Sequence, residues 1–181
     1  MNAGTWLPFS RPMAEIKQQA FVDLISEHQG ILHKVSKMYC DDDELRRDLF
    51  QEMLLQLWKA FPRYEGRSKI STWMYRIALN TAISSFRKQK KKEQEEELGE
   101  VALAIPFEVE DREQEEKKAF LYRAIQQLSE IEKGIVMLHL EDHSYEEIAE
   151  IIGITRNHVG VKLNRIKAKL AKMVVPYFDE S

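Results

Sequence analysis

Trp73, Arg76, Asn80, Ser84, Arg87 and Lys88 follow one another through a single stretch of this sequence. On a helical wheel, at about 100° per residue, Trp73, Arg76, Asn80, Ser84 and Arg87 share one side with Ile77. Met74, Tyr75, Ala78, Leu79, Ala82, Ile83 and Phe86 share the other. Just upstream, the segment Pro62–Ser68 carries Arg63, Tyr64 and Arg67 around a glycine. Two readings fit the polar face. In one, a Trp packs on a neighbouring helix beside a solvated arginine stripe. In the other, cations meet phosphates while aromatic rings stack on unpaired bases. The aromatic and cationic segment upstream favours the second.

A second group lies near the C-terminus. Val159, Leu163, Ile166, Leu170 and Met173 recur at three- and four-residue steps, the buried stripe of a helix. Opposite them fall Asn157, Val161, Asn164 and Arg165, with His158 alongside. These are side chains that read base edges: Asn suits adenine, Arg suits guanine or a phosphate, and Val meets a thymine methyl. Arg156, Lys162, Lys167 and Lys169 flank that face and suit phosphates.

Catalytic chemistry finds no comparable footing. His139 and His143 are four residues apart, yet a helix start at Ser144 puts His143 at or past a helix end, so no metal pair is expected. Asp41–Asp43 with Glu44 lack a glycine-bearing ligand loop. There is no phosphate-cradling glycine loop and no nucleophile motif around a serine or Cys40. As the sole cysteine, Cys40 excludes an intramolecular disulfide and a cysteine-based zinc site. The expectation is a binding protein, not an enzyme, without metal or cofactor.

The elements that must hold these residues are helical. The chain has 181 residues, 44% apolar and 31% charged, with only 7 Gly and 5 Pro, too few for a turn-dense sandwich or barrel. No apolar run is long enough to span a bilayer and no signal peptide is evident, which predicts a cytoplasmic protein without membrane insertion. Phe21, Leu24, Ile25, Leu32, Val35 and Met38 mark a first helix, and Asp41–Glu44 the start of a second. That second helix has an unusually broad apolar stripe: Leu45, Leu49, Met53 and Leu57, flanked by Phe50, Leu54, Trp58 and Phe61. It is either central or presents one strip to a partner. A third helix follows from about Ser71 to Lys90.

Ser129 with Glu132, and Ser144 with Glu147, are Ser-x-x-Glu capping boxes, and Thr155 starts a further helix. Helices are predicted near 130–140, 145–152 and 156–173. A short helix, a turn at Gly153 and a long basic helix make a helix-turn-helix, with Ala149, Gly153 and Val159 as its small residue, turn and apolar lock.

The predicted fold is all-α. It comprises a loose tail over 1–12, a helical domain over 13–92, a flexible acidic linker over 93–112, a helix-turn-helix domain over 113–175 and a tail over 176–181. The formal net charge of −3 conceals this order. Arg63–Lys92 holds nine basic residues and one acid, Ile154–Val175 six basic residues and no acid, and residues 91–119 sum to −6. Charge placement, not its total, points to nucleic acid.

Asp48–Lys88 (DLFQEMLLQLWKAFPRYEGRSKISTWMYRIALNTAISSFRK) resembles the second conserved region of the bacterial RNA polymerase sigma factors, sigma-70 family. Leu128–Leu170 (LSEIEKGIVMLHLEDHSYEEIAEIIGITRNHVGVKLNRIKAKL) resembles the fourth. No domain is apparent between them, as in the extracytoplasmic-function (ECF) subfamily. The resemblance implies that Gln51, Glu52, Leu55 and Trp58 dock on the clamp helices of the polymerase β′ subunit. It implies that Arg63, Tyr64 and Arg67 catch a flipped base of the −10 element, and that Trp73, Arg76, Asn80, Ser84, Arg87 and Lys88 line its single strand. Arg156, Asn157, His158, Val161, Lys162, Asn164, Arg165 and Lys169 would then contact the −35 element. Core RNA polymerase (β′ clamp helices and β flap), promoter DNA and an anti-sigma factor are the implied partners. The sequence departs from relatives at Gly160-Val161-Lys162, where a more polar, Arg-containing step is usual. A stand-alone helix-turn-helix transcriptional regulator is the alternative, with the first domain serving ligand or dimer contacts.

Overall fold

The computed structural model of the chain describes residues 13–95 and 120–178. The tail over 1–12, most of the expected linker and residues 179–181 lie outside them. In chain order the helices are α1 (Met13–Tyr39), α2 (Asp43–Ala60), a 3-10 turn (Phe61–Arg63), α3 (Ile70–Glu95), α4 (residues 120–126), α5 (Glu130–Leu140), α6 (Tyr145–Ile152) and α7 (Arg156–Phe178). No strand occurs among the described residues.

Local chemistry sets most boundaries. The Asp42 carboxylate accepts the backbone N–H groups of Glu44 and Leu45, each at 2.9 Å, so one member of the Asp41–Glu44 run caps α2. Both Ser-x-x-Glu boxes form. Ser129 and Glu132 exchange bonds at the head of α5, and Ser144 and Glu147 do so at the head of α6. The Thr155 hydroxyl accepts from His158 N–H at 3.3 Å and begins α7. Two helices outrun the sequence expectation. α3 continues to Glu95, three residues into the expected linker, and α7 passes Pro176 to reach Phe178. Pro176 sits in the last turn of α7, where its missing N–H costs at most one helix bond.

α1, α2 and α3 form a first lobe around Leu32, Val35, Met53, Leu57, Met74 and Leu79, all at most 1% exposed. α4–α7 form a second around Ile135, Leu138, Ile148, Val159, Leu163 and Ile166. Each such side chain contributes about 1.5–3 kcal/mol by leaving water. The two lobes, expected as separate domains, share one apolar cluster. α5 and α6 pack on α3, and α5 also touches α1.

Candidate nucleic-acid and polymerase interfaces

On α3, the wheel is obeyed. Met74, Tyr75, Ala78, Leu79 and Ala82 are buried, while Arg76, Asn80, Ser84, Arg87 and Lys88 are exposed. Trp73 is half-buried, its ring centroid 4.9 Å from that of Tyr64 at an interplanar angle of 42°. The Tyr64 hydroxyl donates to the Ser68 carbonyl at 2.7 Å, which ties the two ends of the turn together. Gly66 at its tip has φ +71°, a conformation that side-chain-bearing residues avoid. Arg63 is exposed, and Arg67 is exposed but paired with Glu65 at 2.5 Å. Trp73 therefore packs on a neighbour, and that neighbour is the aromatic ring of the cationic turn.

Gln51, Glu52, Leu55 and Trp58 share one exposed face of α2, with Leu55 at 44% and Trp58 at 42% exposure. Trp58 meets Phe21 of α1 in an edge-to-face contact at 5.0 Å and is otherwise partly open to solvent. Leu45, expected in the buried stripe, is instead 41% exposed. Leu55 and Trp58, three residues apart, thus leave two large apolar side chains open side by side on α2. Between α2 and α3 runs a groove of about 1030 Å³, with Glu52 and Gln56 on one wall and Asn80, Ser84 and Lys88 on the other.

In the second lobe, α6 ends at Gly153, whose φ of +80° turns the chain into α7 while Ala149 accepts the N–H groups of Gly153 and Ile154. Val159 is fully buried and locks α7 on α6. Asn157, His158, Val161, Asn164 and Arg165 all face solvent, and Arg156, Lys167 and Lys169 are exposed around them. Lys162 is half-buried, less free than its place in the sequence implies. Two of the flanking cations already have partners: Arg156 donates to the Glu146 carboxylate, and Lys169 lies 3.5 Å from Glu132.

Sequence reasoning misses a set of residues at the joint between the lobes. Lys69, just before α3, binds Glu147 of α6 at 2.8 Å. This bond, with the Ser144 cap, holds the Glu147 carboxyl down to about 2. Tyr75 donates to Glu141, which also takes Lys34 at 2.9 Å, and burial with that carboxylate pushes the Tyr75 phenol well up. His143 stands edge-on to Tyr75 at 5.1 Å. Lys133, to which the sequence assigns no role, is 4% exposed; it bonds Gln126 at 2.6 Å and sits over the Phe86 ring at 5.3 Å. Burial lowers its pKa. Its place directly before the apolar run Gly134–Leu138 is the one signal of this in the sequence.

Comparison with known proteins agrees with this arrangement. The sequence pattern of Sigma-70 region 2 matches residues 24–92, and that of Sigma-70, region 4 matches residues 121–170. The chain is similar to RNA polymerase sigma factor SigV of Bacillus subtilis (strain 168), with 30% identity over 146 residues, covering 80% of this chain and 84% of that one. It is similar to the ECF RNA polymerase sigma-E factor of Escherichia coli (strain K12), with 28% identity over 170 residues and 88% of each chain covered. Among solved structures it resembles the sigma factor RpoE in complex with the anti-sigma factor NepR from Bartonella quintana (TM-score 0.63, 20% identity, 89% of this chain and 97% of that chain). CnrH in complex with the cytosolic domain of CnrY has the same fold (TM-score 0.64, 17% identity, 90% and 94% covered). Two separate region matches in the family's order, and a relative aligned across most of its length, rest on the same helices that carry the exposed faces. The chain belongs to the sigma-70 family, as an RNA polymerase sigma factor of the extracytoplasmic-function group: a transcription initiation factor, not an enzyme.

Proposed function

We propose a division of labour among three faces. The α2 face of Gln51, Glu52, Leu55 and Trp58 docks on the β′ clamp helices of core polymerase. The turn bearing Arg63, Tyr64 and Arg67 captures a base of the −10 non-template strand, and Trp73, Arg76, Asn80, Ser84, Arg87 and Lys88 hold the strand beyond it. The α7 face of Arg156, Asn157, His158, Val161, Lys162, Asn164, Arg165 and Lys169 enters the −35 major groove, and the second lobe meets the β flap. In domain terms, 13–92 serves polymerase binding and −10 melting, 93–112 links, and 113–175 reads −35. The region 2 and region 4 matches fall inside those two domains. The single observation that carries the −10 assignment is the Tyr64–Trp73 pair at the head of an exposed Arg/Asn stripe.

The chain acts where the polymerase does, in the cytoplasm; none of its described helices is long and apolar enough to cross a membrane. An anti-sigma factor restrains it by covering the α2 face. Support comes from the similar structure of the sigma factor RpoE, solved in complex with the anti-sigma factor NepR.

Three variants separate the faces. Leu55→Asp should abolish capture of core enzyme. Asn80→Ala should leave capture intact and reduce thymine reactivity to permanganate at the start site. Arg165→Ala should weaken −35 protection and, if the contact is to phosphate, lower the salt slope by about one unit. One common defect across all three variants would refute the division.

A further inference from the structure

The bond between Arg156 and Glu146 is one that the division of faces leaves unexplained. Glu146 is the second residue of α6 and Arg156 the first of α7, so the bond joins the two helices of the helix-turn-helix. Both backbones are fixed locally. α6 begins at the Ser144–Glu147 box, Gly153 makes the turn at φ +80°, the Thr155 hydroxyl caps α7, and Val159 is fully buried. A carboxylate in this place needs a reason. The N-terminal part of a recognition helix is the part that meets base edges. Glu146 stands beside it, 63% exposed, and a negative side chain next to a duplex repels phosphate whatever the sequence. The capping role in α6 is already filled by Glu147. What Glu146 does in the structure is hold Arg156.

The chemistry of the bond says what that hold achieves. Glu146 accepts from Nε of the guanidinium. The two terminal amino groups lie beyond Nε, and that pair of donors matches O6 and N7 of guanine. A long arginine side chain left to itself swings to the nearest phosphate and carries no sequence information. Held at Nε, the planar head is aimed before DNA arrives, and the rotamer freedom that binding would remove is already gone. The other acid–base pair on α7, Lys169 with Glu132, is a contrast. It is looser, at 3.5 Å, and lies ~20 Å further along the helix, past the turns that meet bases.

We propose that Glu146 is a positioning residue for promoter reading: it aims Arg156 at a guanine of the −35 element, which makes Arg156 a specificity-determining base contact and not one of the phosphate contacts. Over adenine the same fork meets the N6 amino donor, while the Glu146 charge still repels the backbone. The pair thus weakens wrong sites as well as strengthening the right one. The inference rests on α7 entering the −35 groove.

The test uses holoenzyme assembled from core polymerase and the full-length chain, bound to promoter duplexes randomised across the −35 element at two salt concentrations. The wild-type chain should prefer G·C at the position Arg156 reads by about 5- to 150-fold. Arg156→Lys keeps the charge and loses the fork, so that preference should disappear while the salt slope stays as it was. Glu146→Ala should relax the same position and no other, and strengthen binding to the remaining sequences. Glu146→Gln keeps an acceptor for Nε and should restore the preference at the higher affinity. Both Glu146 variants retain Ser144 and Glu147, and unchanged helicity checks that α6 still forms. If every base preference survives Arg156→Lys, the base contact is overturned. A preference that Arg156→Lys removes but Glu146→Ala leaves intact overturns the positioning role. So does an Arg156→Ala defect equal across all sequences with a salt slope lower by about 0.9, the mark of a phosphate contact. Arg165→Ala distinguishes the two levels of failure. Should α7 not enter the −35 groove, Arg165→Ala is silent across the library along with every Arg156 and Glu146 variant; should only the positioning fail, Arg165→Ala still acts.

Discussion

Trp73→Ala tests the strand-capture face most directly. In the structure Trp73 is half-buried against Tyr64, so the substitution removes two things. The ring pair with Tyr64 contributes about 0.5–1.5 kcal/mol to holding the turn. Stacking on an unpaired base contributes about 1–3 kcal/mol. Only the second term is confined to the open promoter, and at about 1.4 kcal/mol per tenfold it predicts roughly a 5- to 150-fold loss of open complex. The assay is permanganate oxidation of unpaired thymines at saturating core enzyme, with core binding measured alongside. Trp73→Phe keeps a stacking face and should lose much less. Stacking carries no counterion, so the salt dependence should be that of the wild type, whereas Arg76→Ala should flatten it by about 0.7 of a unit. Unchanged opening by Trp73→Ala would refute the assignment, as would a loss that merely tracks weaker core binding.

Two further perturbations address the scaffold. Gly153→Ala meets no atom within 4 Å, so its cost is the left-handed backbone alone, about 1–2 kcal/mol, or a fall in Tm of about 2–8 °C; a drop well beyond 10 °C would mean the turn holds contacts that the open space around it does not show. The Glu147 carboxyl is lowered from 4.5 to about 2 in the folded chain, so its stabilising effect is complete above pH 4.5 and is lost as pH falls towards 2. Glu147→Gln keeps the capping box. Its urea midpoint should therefore fall less steeply over that window than the wild type's, and parallel curves would place the acid sensitivity elsewhere.

Features encoded within a few residues are legible in the sequence itself. Ser129, Ser144 and Asp42 announce helix starts because a cap needs only its own next turn. The faces of α3 and α7 follow from period alone, which is why the exposed Asn157–Arg165 set and the exposed Arg76–Arg87 set come out where the wheel puts them. Period says which face is buried but not against what. It assigns Tyr75 correctly to the buried side of α3, yet the partner Glu141 lies 66 positions away. Tyr39 and Glu130 are separated by 91. Lys133 shows the same gap from the other direction: a lysine reads as solvent-facing until Phe86 and Gln126 are seen around it. The shared core escapes sequence reading for this reason, since each lobe's own apolar pattern already suffices to predict a domain.

That shared core also imposes an order on synthesis. Tyr39, Tyr75 and Leu79 belong to helices completed by Glu95, whereas the α5 surface that covers them ends at Leu140. At ~5–20 residues per second, the intervening 45 residues take about 2–9 s to translate. Throughout that interval the nascent first lobe displays a bare apolar flank, and its α2 face is complete. A polymerase or chaperone that engages the chain on the ribosome meets it before its second half exists to close over it.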